Sequence, residues 1–248
     1  MLILSLFLAI VPFSSAEADQ KSYEVGSIVE FGQYEQDADL SNGPEKIQWL
    51  ILDIQENRAL LLSLSGLACR QYHDKMESVR WGTCTLRTWL NDEFYSGAFS
   101  EAERDAILQP EIDNSPEQAG QYLSYIKAKN TRDNVFLLSG AEIETIPAKA
   151  GVMKKYEIQD ILKDLSPTQY ALNNGSENMK VSRESYYWWL RGVTEVNINA
   201  STNKTNAKAQ CVNKGGANNA ADIIASLGVH PAIWVDLAIM EKAQKDEF

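Results

Sequence analysis

The stretch YYWWLRG, residues 186–192, sets four aromatic rings side by side and follows them with Leu190, the cation Arg191 and a glycine. As a β-strand it would send Tyr186, Trp188 and Leu190 to one face and Tyr187, Trp189 and Arg191 to the other, because side chains alternate about the pleat. Both faces are then apolar, the pattern of an inner strand covered on two sides. Core packing is therefore favoured over a ring platform for a ligand. A guanidinium beside Trp189 can stack on the ring and fork onto a carboxylate, and Asp53 and Asp236, both inside apolar strands, are the expected partners.

Working outward, residues 25–34 (VGSIVEFGQY), 46–54 and 59–64 are rich in β-branched and aromatic residues and are separated by turn formers. They predict three strands joined by hairpins. A helical centre follows, with Leu86, Trp89, Leu90 and Phe94 on one face of a helix. Ser100 to Glu103, Ser139 to Glu142 and Ser166 to Gln169 each match the capping box of a helix start. Residues 135–138 (VFLL) read as one more buried strand, and 228–237 (GVHPAIWVDL) as a closing one. Trp49, Trp89, Trp188, Trp189, Arg191 and Trp234 are the expected structural residues. Between these last aromatic segments, residues 194–227 are rich in Asn, Ala, Lys and Ser, which predicts polar turns and short strands. Residues 238–248 read as a frayed acidic tail.

The 248-residue chain is 44% hydrophobic and 23% charged, with a net charge of −11. That composition suits one globular domain, taken as residues 23–237. So acidic a surface repels phosphate backbones, and no basic stripe offsets it, so nucleic acid is excluded as a partner. An apolar run from Leu2 to Phe13, followed by small residues, predicts a secretory signal over residues 1–18, cut after Ala18. The run is shorter than a membrane span needs, so no span is expected after cleavage. Secretion, or display on the cell surface, is the implied location. Cys69 and Cys84 could form a disulfide in such a compartment, or all three cysteines, Cys211 included, could be buried thiols.

The turn DADLSNG at residues 37–43 offers oxygen ligands at alternating places, with Asp37 and Asp39 foremost, which suits calcium. It departs from the EF-hand rule, and a plain hairpin turn is favoured. No cofactor other than calcium is suggested. His73 and His230 stand in no recognisable catalytic grouping.

Six motifs then occur in a telling order: FGQY at residues 31–34, IQWLILD at 47–53, TLRTWLN at 85–91, DNVFLLS at 133–139, YYWWLRG, and GVHPAIW at 228–234. Together they resemble a large bacterial family of secreted or surface-exposed domains of unknown function. That family is itself similar to the C-type-lectin-like and formylglycine-generating-enzyme-like superfamily. The resemblance implies an α+β fold, with short twisted antiparallel sheets flanked by helices and a long irregular segment before the last strands. Two departures stand out. Gly192 replaces the usual Ser after WWLR, and His230 replaces the Arg of the last motif. The copper-binding cysteine pair of the oxidase branch is absent, since only Cys211 lies late in the chain.

The expected function is a non-catalytic extracellular recognition domain that binds a glycan or a surface protein. The resemblance places its ligand face among Asn197, Asn199, Asn203, Asn213, Asn218 and Asn219. The alternatives are a hydrolase of envelope or host polymers using carboxylates among Asp37, Asp39 and Glu45, and a structural envelope component.

Overall fold

The computed structural model describes residues 22–120, 125–149, 152–175, 186–199, 204–213 and 215–246. The leader read at residues 1–18 and the side chains of Asn199 and Asn203 lie outside that description. Ten strands make two five-stranded sheets: β1 (Ile28–Tyr34), β2 (Glu45–Gln55), β3 (Arg58–Ser63), β4 (Ala68–Gln71), β5 (Ile107–Leu108), β6 (Tyr187–Asn199), β7 (Lys204–Asn213), β8 (Asn218–Asp222), β9 (Ser226–Val229) and β10 (Ala232–Asp236). The first sheet runs β1-β2-β3-β10-β5 and the second β8-β7-β6-β9-β4. Every pairing is antiparallel except β6 with β9. Helices fill the intervals, and the fold is α+β. No helix among the described residues is long and apolar enough to cross a membrane.

The opening hairpins form as expected. β2 buries Ile47, Trp49, Leu50, Ile51 and Leu52, and the Trp49 indole donates to the Phe31 carbonyl at 2.6 Å. The amphipathic centre becomes α1 (Thr85–Trp89) and α2 (Tyr95–Ala98), joined without a break through a π-turn at Leu90–Phe94. α3 (Glu101–Ala106) starts on the predicted capping box. Ser100 Oγ accepts from the Glu103 amide, and the Glu103 carboxylate accepts from the Ser100 amide. α4 (Gly140–Lys149) starts the same way on Ser139 and Glu142. α5 (Val152–Asp164) and α6 (Gln169–Asn173) complete the middle of the chain.

β6 is an inner strand, flanked by β7 and β9. Trp188, Trp189, Leu190 and Arg191 are all buried, and Tyr187 is half-buried. Packing thus decides the reading of YYWWLRG. The ladder to β7 breaks between Trp189 and Val193. At that bulge the Arg191 amide turns to the Leu138 carbonyl at 3.0 Å, and the Arg191 carbonyl accepts from the Tyr72 hydroxyl at 2.6 Å. Gly192 is small for a steric reason: a Cβ there would lie 2.4 Å from the Tyr125 ring and 2.5 Å from Gln210 Oε1.

Four expectations are corrected, and one open alternative, the state of the cysteines, is decided. The described residues of 194–227 are not irregular; β6, β7 and β8 make a three-stranded ribbon, because Ala207, Ala209 and Cys211 alternate inward with period two and pack on the tryptophan strand. The tail is not frayed: α7 (Leu237–Asp246) buries Leu237, Met240 and Ala243 and packs against α3. Residues 135–138 are buried, yet only Phe136 forms a bridge, to Ala232. Their carbonyls serve other donors: Val135 O accepts from Asn91, Leu137 O from the Arg191 guanidinium and Leu138 O from the Arg191 amide. Ser166 is no N-cap, since Ser166–Pro167 bridges Ser65–Gly66; Thr168 caps α6 instead through the Ala171 amide at 3.0 Å. Cys69, Cys84 and Cys211 are free buried thiols rather than a bridge, and burial pushes them up to about 11, 12 and 12.

Candidate functional site

Polar side chains gather in two kinds of place, sealed and open. The sealed centre is Arg191. Its guanidinium is 0% exposed and forks onto both carboxylate oxygens of Glu142, with further bonds to the Leu137 carbonyl at 3.1 Å, the Asp113 carbonyl at 2.9 Å and Gln118 Oε1 at 3.3 Å. The partner is thus Glu142, the capping carboxylate of α4, and not Asp53 or Asp236, which belong to the other sheet. Both terminal nitrogens are thus engaged, while Nε is buried without a partner among the described residues; the side chain locks the bulge of β6 to the start of α4.

His230 is equally enclosed. Its Nδ1 lies 3.0 Å from the Ser63 carbonyl and must donate to it, which leaves Nε2 to accept from the Tyr186 hydroxyl at 2.8 Å. Burial lowers its pKa to about 4, with the Ser63 bond opposing. Tyr186 fits only because Gly66 and Gly228 lie on either side. A Cβ on Gly66 would fall 1.9 Å from its hydroxyl oxygen, and one on Gly228 2.0 Å away. His73 accepts from the Thr85 amide through Nδ1, so its Nε2 faces Glu77 at 3.2 Å as a donor. Both histidines act as joints between segments.

The open place is a cleft of about 340 Å³ lined by Tyr34, Ala68, Cys69, Arg70, Gln71, Tyr170, Ala171, Asn174 and Ser226. β1 supplies Tyr34, the edge strand β4 supplies Arg70 and Gln71, and α6 supplies Tyr170. Tyr34 and Tyr170 meet edge to face, 6.1 Å apart at 81°. Partial burial raises the Tyr34 pKa, with Tyr170 adding to the rise and Arg70 opposing it. The Arg70 guanidinium lies 4.2 Å from the centre of the Trp89 ring. Its own carbonyl is held by the Trp189 indole at 2.8 Å. Among the described residues, the Arg70 guanidinium and the Tyr34 and Tyr170 hydroxyls have no hydrogen-bond partner. Gln71 and Asn174 use only their amide nitrogens, on the carbonyls of Ile224 and Tyr170. A second, smaller cleft shares Arg70 and Gln71 and adds Asp74, Thr85, Leu86 and Trp89. The arrangement can bind a ligand through a fixed cation, two hydroxyls and two amide oxygens. Among the described residues that line it, no nucleophile stands beside a base.

The asparagines do not form one face. Asn197 pairs with Asn206 and is exposed, whereas Asn219 pairs with Cys211, which in turn faces Trp189. Five residues of β7, Asn206 to Cys211, separate the two levels, about 17 Å at roughly 3.3 Å per residue. Asn213 and Asn218 are half-buried near the Asn219 end, and Asn218 already donates to Glu144 at 3.0 Å. Asn199 ends β6, pairing with Lys204. Asp37 does enter a carboxylate cluster, though with Glu35 and Glu45 rather than Asp39; one oxygen of each lies within 4.8 Å of the others. Those three could begin a calcium site, but each carboxylate also accepts a bond from its own turn: Glu35 from the Ala38 amide, Asp37 from the Asp39 amide and Asn42, and Glu45 from the Gln36 amide. Asp39 accepts from Ser41. Of the structural tryptophans, Trp49, Trp89, Trp188 and Trp189 are buried, while Trp234 is half-buried under Arg58.

Sequence reasoning missed Arg70, Gln71, Tyr170 and Asn174. Each sits in an unremarkable local context, and only the packing of β4 against β1 and α6 unites them. Compared with known proteins, residues 56–237 match the family described as "Domain of unknown function (DUF6273)". No curated protein and no solved structure matches the chain.

Proposed function

The chain belongs to the DUF6273 family, and from that premise and the geometry of its open cleft we propose that it is an exported, non-catalytic recognition domain that binds a glycan between Tyr34, Arg70 and Tyr170. One observation carries the reading: several hydrogen-bonding groups with unused capacity converge on a single cleft beside half-exposed rings. Its volume falls near the lower end of the span for small-molecule sites, so it suits a sugar unit better than the flat face of a folded protein. Rings supply contact area and the hydroxyls and amides supply direction, the combination a sugar needs. The apolar leader supports export. The motif order supports a lectin-like scaffold.

A glycan array and a pull-down from envelope extracts, each with and without calcium, test the reading on the full chain. Retained glycans whose binding is weakened by Tyr170→Ala and Asn174→Ala are expected. Silence in every condition, or binding that ignores both substitutions, contradicts it.

A further inference from the structure

Resting on that reading of the cleft, we infer that the glycan is an acidic one, and that Arg70 grips a sugar carboxylate on the side of the cleft lined by Tyr34 and Tyr170. Three observations converge. First, the guanidinium is held in place before any ligand arrives. Trp89 covers it at 4.2 Å, and the strand beneath it is fixed by the Trp189 bond to the Arg70 carbonyl and by pairing of Arg70 with Leu227. A stacked guanidinium keeps its N–H edge free, and that edge matches the two oxygens of a carboxylate.

Second, Arg70 is unpaired where pairing would be easy. The chain carries 34 acidic against 23 basic residues. Arg87 pairs with Asp133, Arg191 with Glu142, Lys163 with Asp160 and Lys245 with Glu241. Arg70 has its aromatic neighbour and no carboxylate partner among the described residues. A carboxylate brought by a ligand completes it.

Third, the surrounding charges confine an anion to one spot. Among the described residues no Asp or Glu lines the main cleft, whereas Asp74 lines the smaller cleft beyond Arg70 and Glu93 raises the Tyr34 pKa from nearby. An anion is thus welcome at Arg70 and repelled on either side, and the net charge of −11 opposes a polyanion as a whole. The fitting ligand is a saccharide with a solitary carboxylate where it enters the cleft. Its neighbouring hydroxyls would meet the Tyr34 and Tyr170 hydroxyls and the Gln71 and Asn174 amides.

The test is calorimetric titration of the full chain with a panel of uronate and sialylated oligosaccharides, their carboxyl-reduced neutral counterparts, and tetraglutamate. An acidic oligosaccharide should bind about tenfold more tightly than its reduced form, since hydrogen bonds to a charged group are the strong ones. Arg70→Gln should erase that difference while leaving the melting temperature nearly unchanged. Added salt should weaken the acidic ligand alone. Equal binding of acidic and reduced forms overturns the carboxylate grip but leaves a glycan site standing. Preference for tetraglutamate over every sugar overturns the glycan assignment as well, and so does failure of the whole panel.

Discussion

Two arginines, Arg191 and Arg70, sit in the same sheet beside tryptophan-rich strands and have opposite fates. Arg191 is sealed, and its guanidinium meets a carboxylate, two carbonyls and an amide oxygen. The Arg70 side chain is exposed at an edge strand, stacked on one ring and without a hydrogen-bond partner among the described residues. A buried cation is tolerated only when it is paired, so Arg191, with both terminal nitrogens bonded, is committed to architecture. An exposed cation held rigid with its donors free adds little to stability and is left to meet a partner.

The contrast can be broken experimentally, beginning where the effect should be greatest. Arg191→Met should destabilise the fold by about 3–5 kcal/mol, since it strands Glu142 and several carbonyls at once; urea denaturation measures it. A loss below 1 kcal/mol would mean the sealed network is not a keystone. Next in size is Gly228→Ala, whose Cβ would sit 2.0 Å from the Tyr186 hydroxyl oxygen. Overpacking of that kind costs about 1–3 kcal/mol, visible in the same assay.

His230 gives an effect of similar size that depends on pH. Its folded pKa, about 4, lies below the unfolded value near 6.5. The unfolded chain therefore binds the extra proton, and the stability held above pH 6.5 is lost as pH falls towards 4. Between pH 7 and pH 5 the loss should be about 2 kcal/mol. His230→Gln should flatten that part of the stability profile; an unchanged slope would show that other groups set it. The smallest expected effect on stability belongs to Arg70→Gln, within about 0.5 kcal/mol, as for an exposed side chain outside any network.

Much of this architecture was written locally. The hairpins of β1, β2 and β3, the capping boxes at Ser100 and Ser139 and the burial of Trp188 and Trp189 all follow from periodicity and helix-start chemistry. The ribbon of β6, β7 and β8 was harder to see because Ala, Asn and Lys are poor strand formers. Tertiary packing overrode that propensity, and the inward alternation of Ala207, Ala209 and Cys211 was its faint trace. The Arg191 partner was misread because sequence cannot say which sheet a carboxylate belongs to. Glu142 had been noticed only as a capping residue, yet it serves both roles. The cleft was illegible for the same reason: Tyr34, Arg70 and Tyr170 come from three distant segments, and none carries a local sign of binding.

The most direct test of the division between sealed and open arginine measures melting and acidic-oligosaccharide binding together for Arg191→Met and Arg70→Gln. Arg191→Met should lower the melting temperature by about 6–20 °C. Arg70→Gln should stay within about 2 °C of the parent and lose about tenfold in affinity. An Arg70→Gln protein that binds as well as the parent, or that loses binding only by unfolding, would contradict the account.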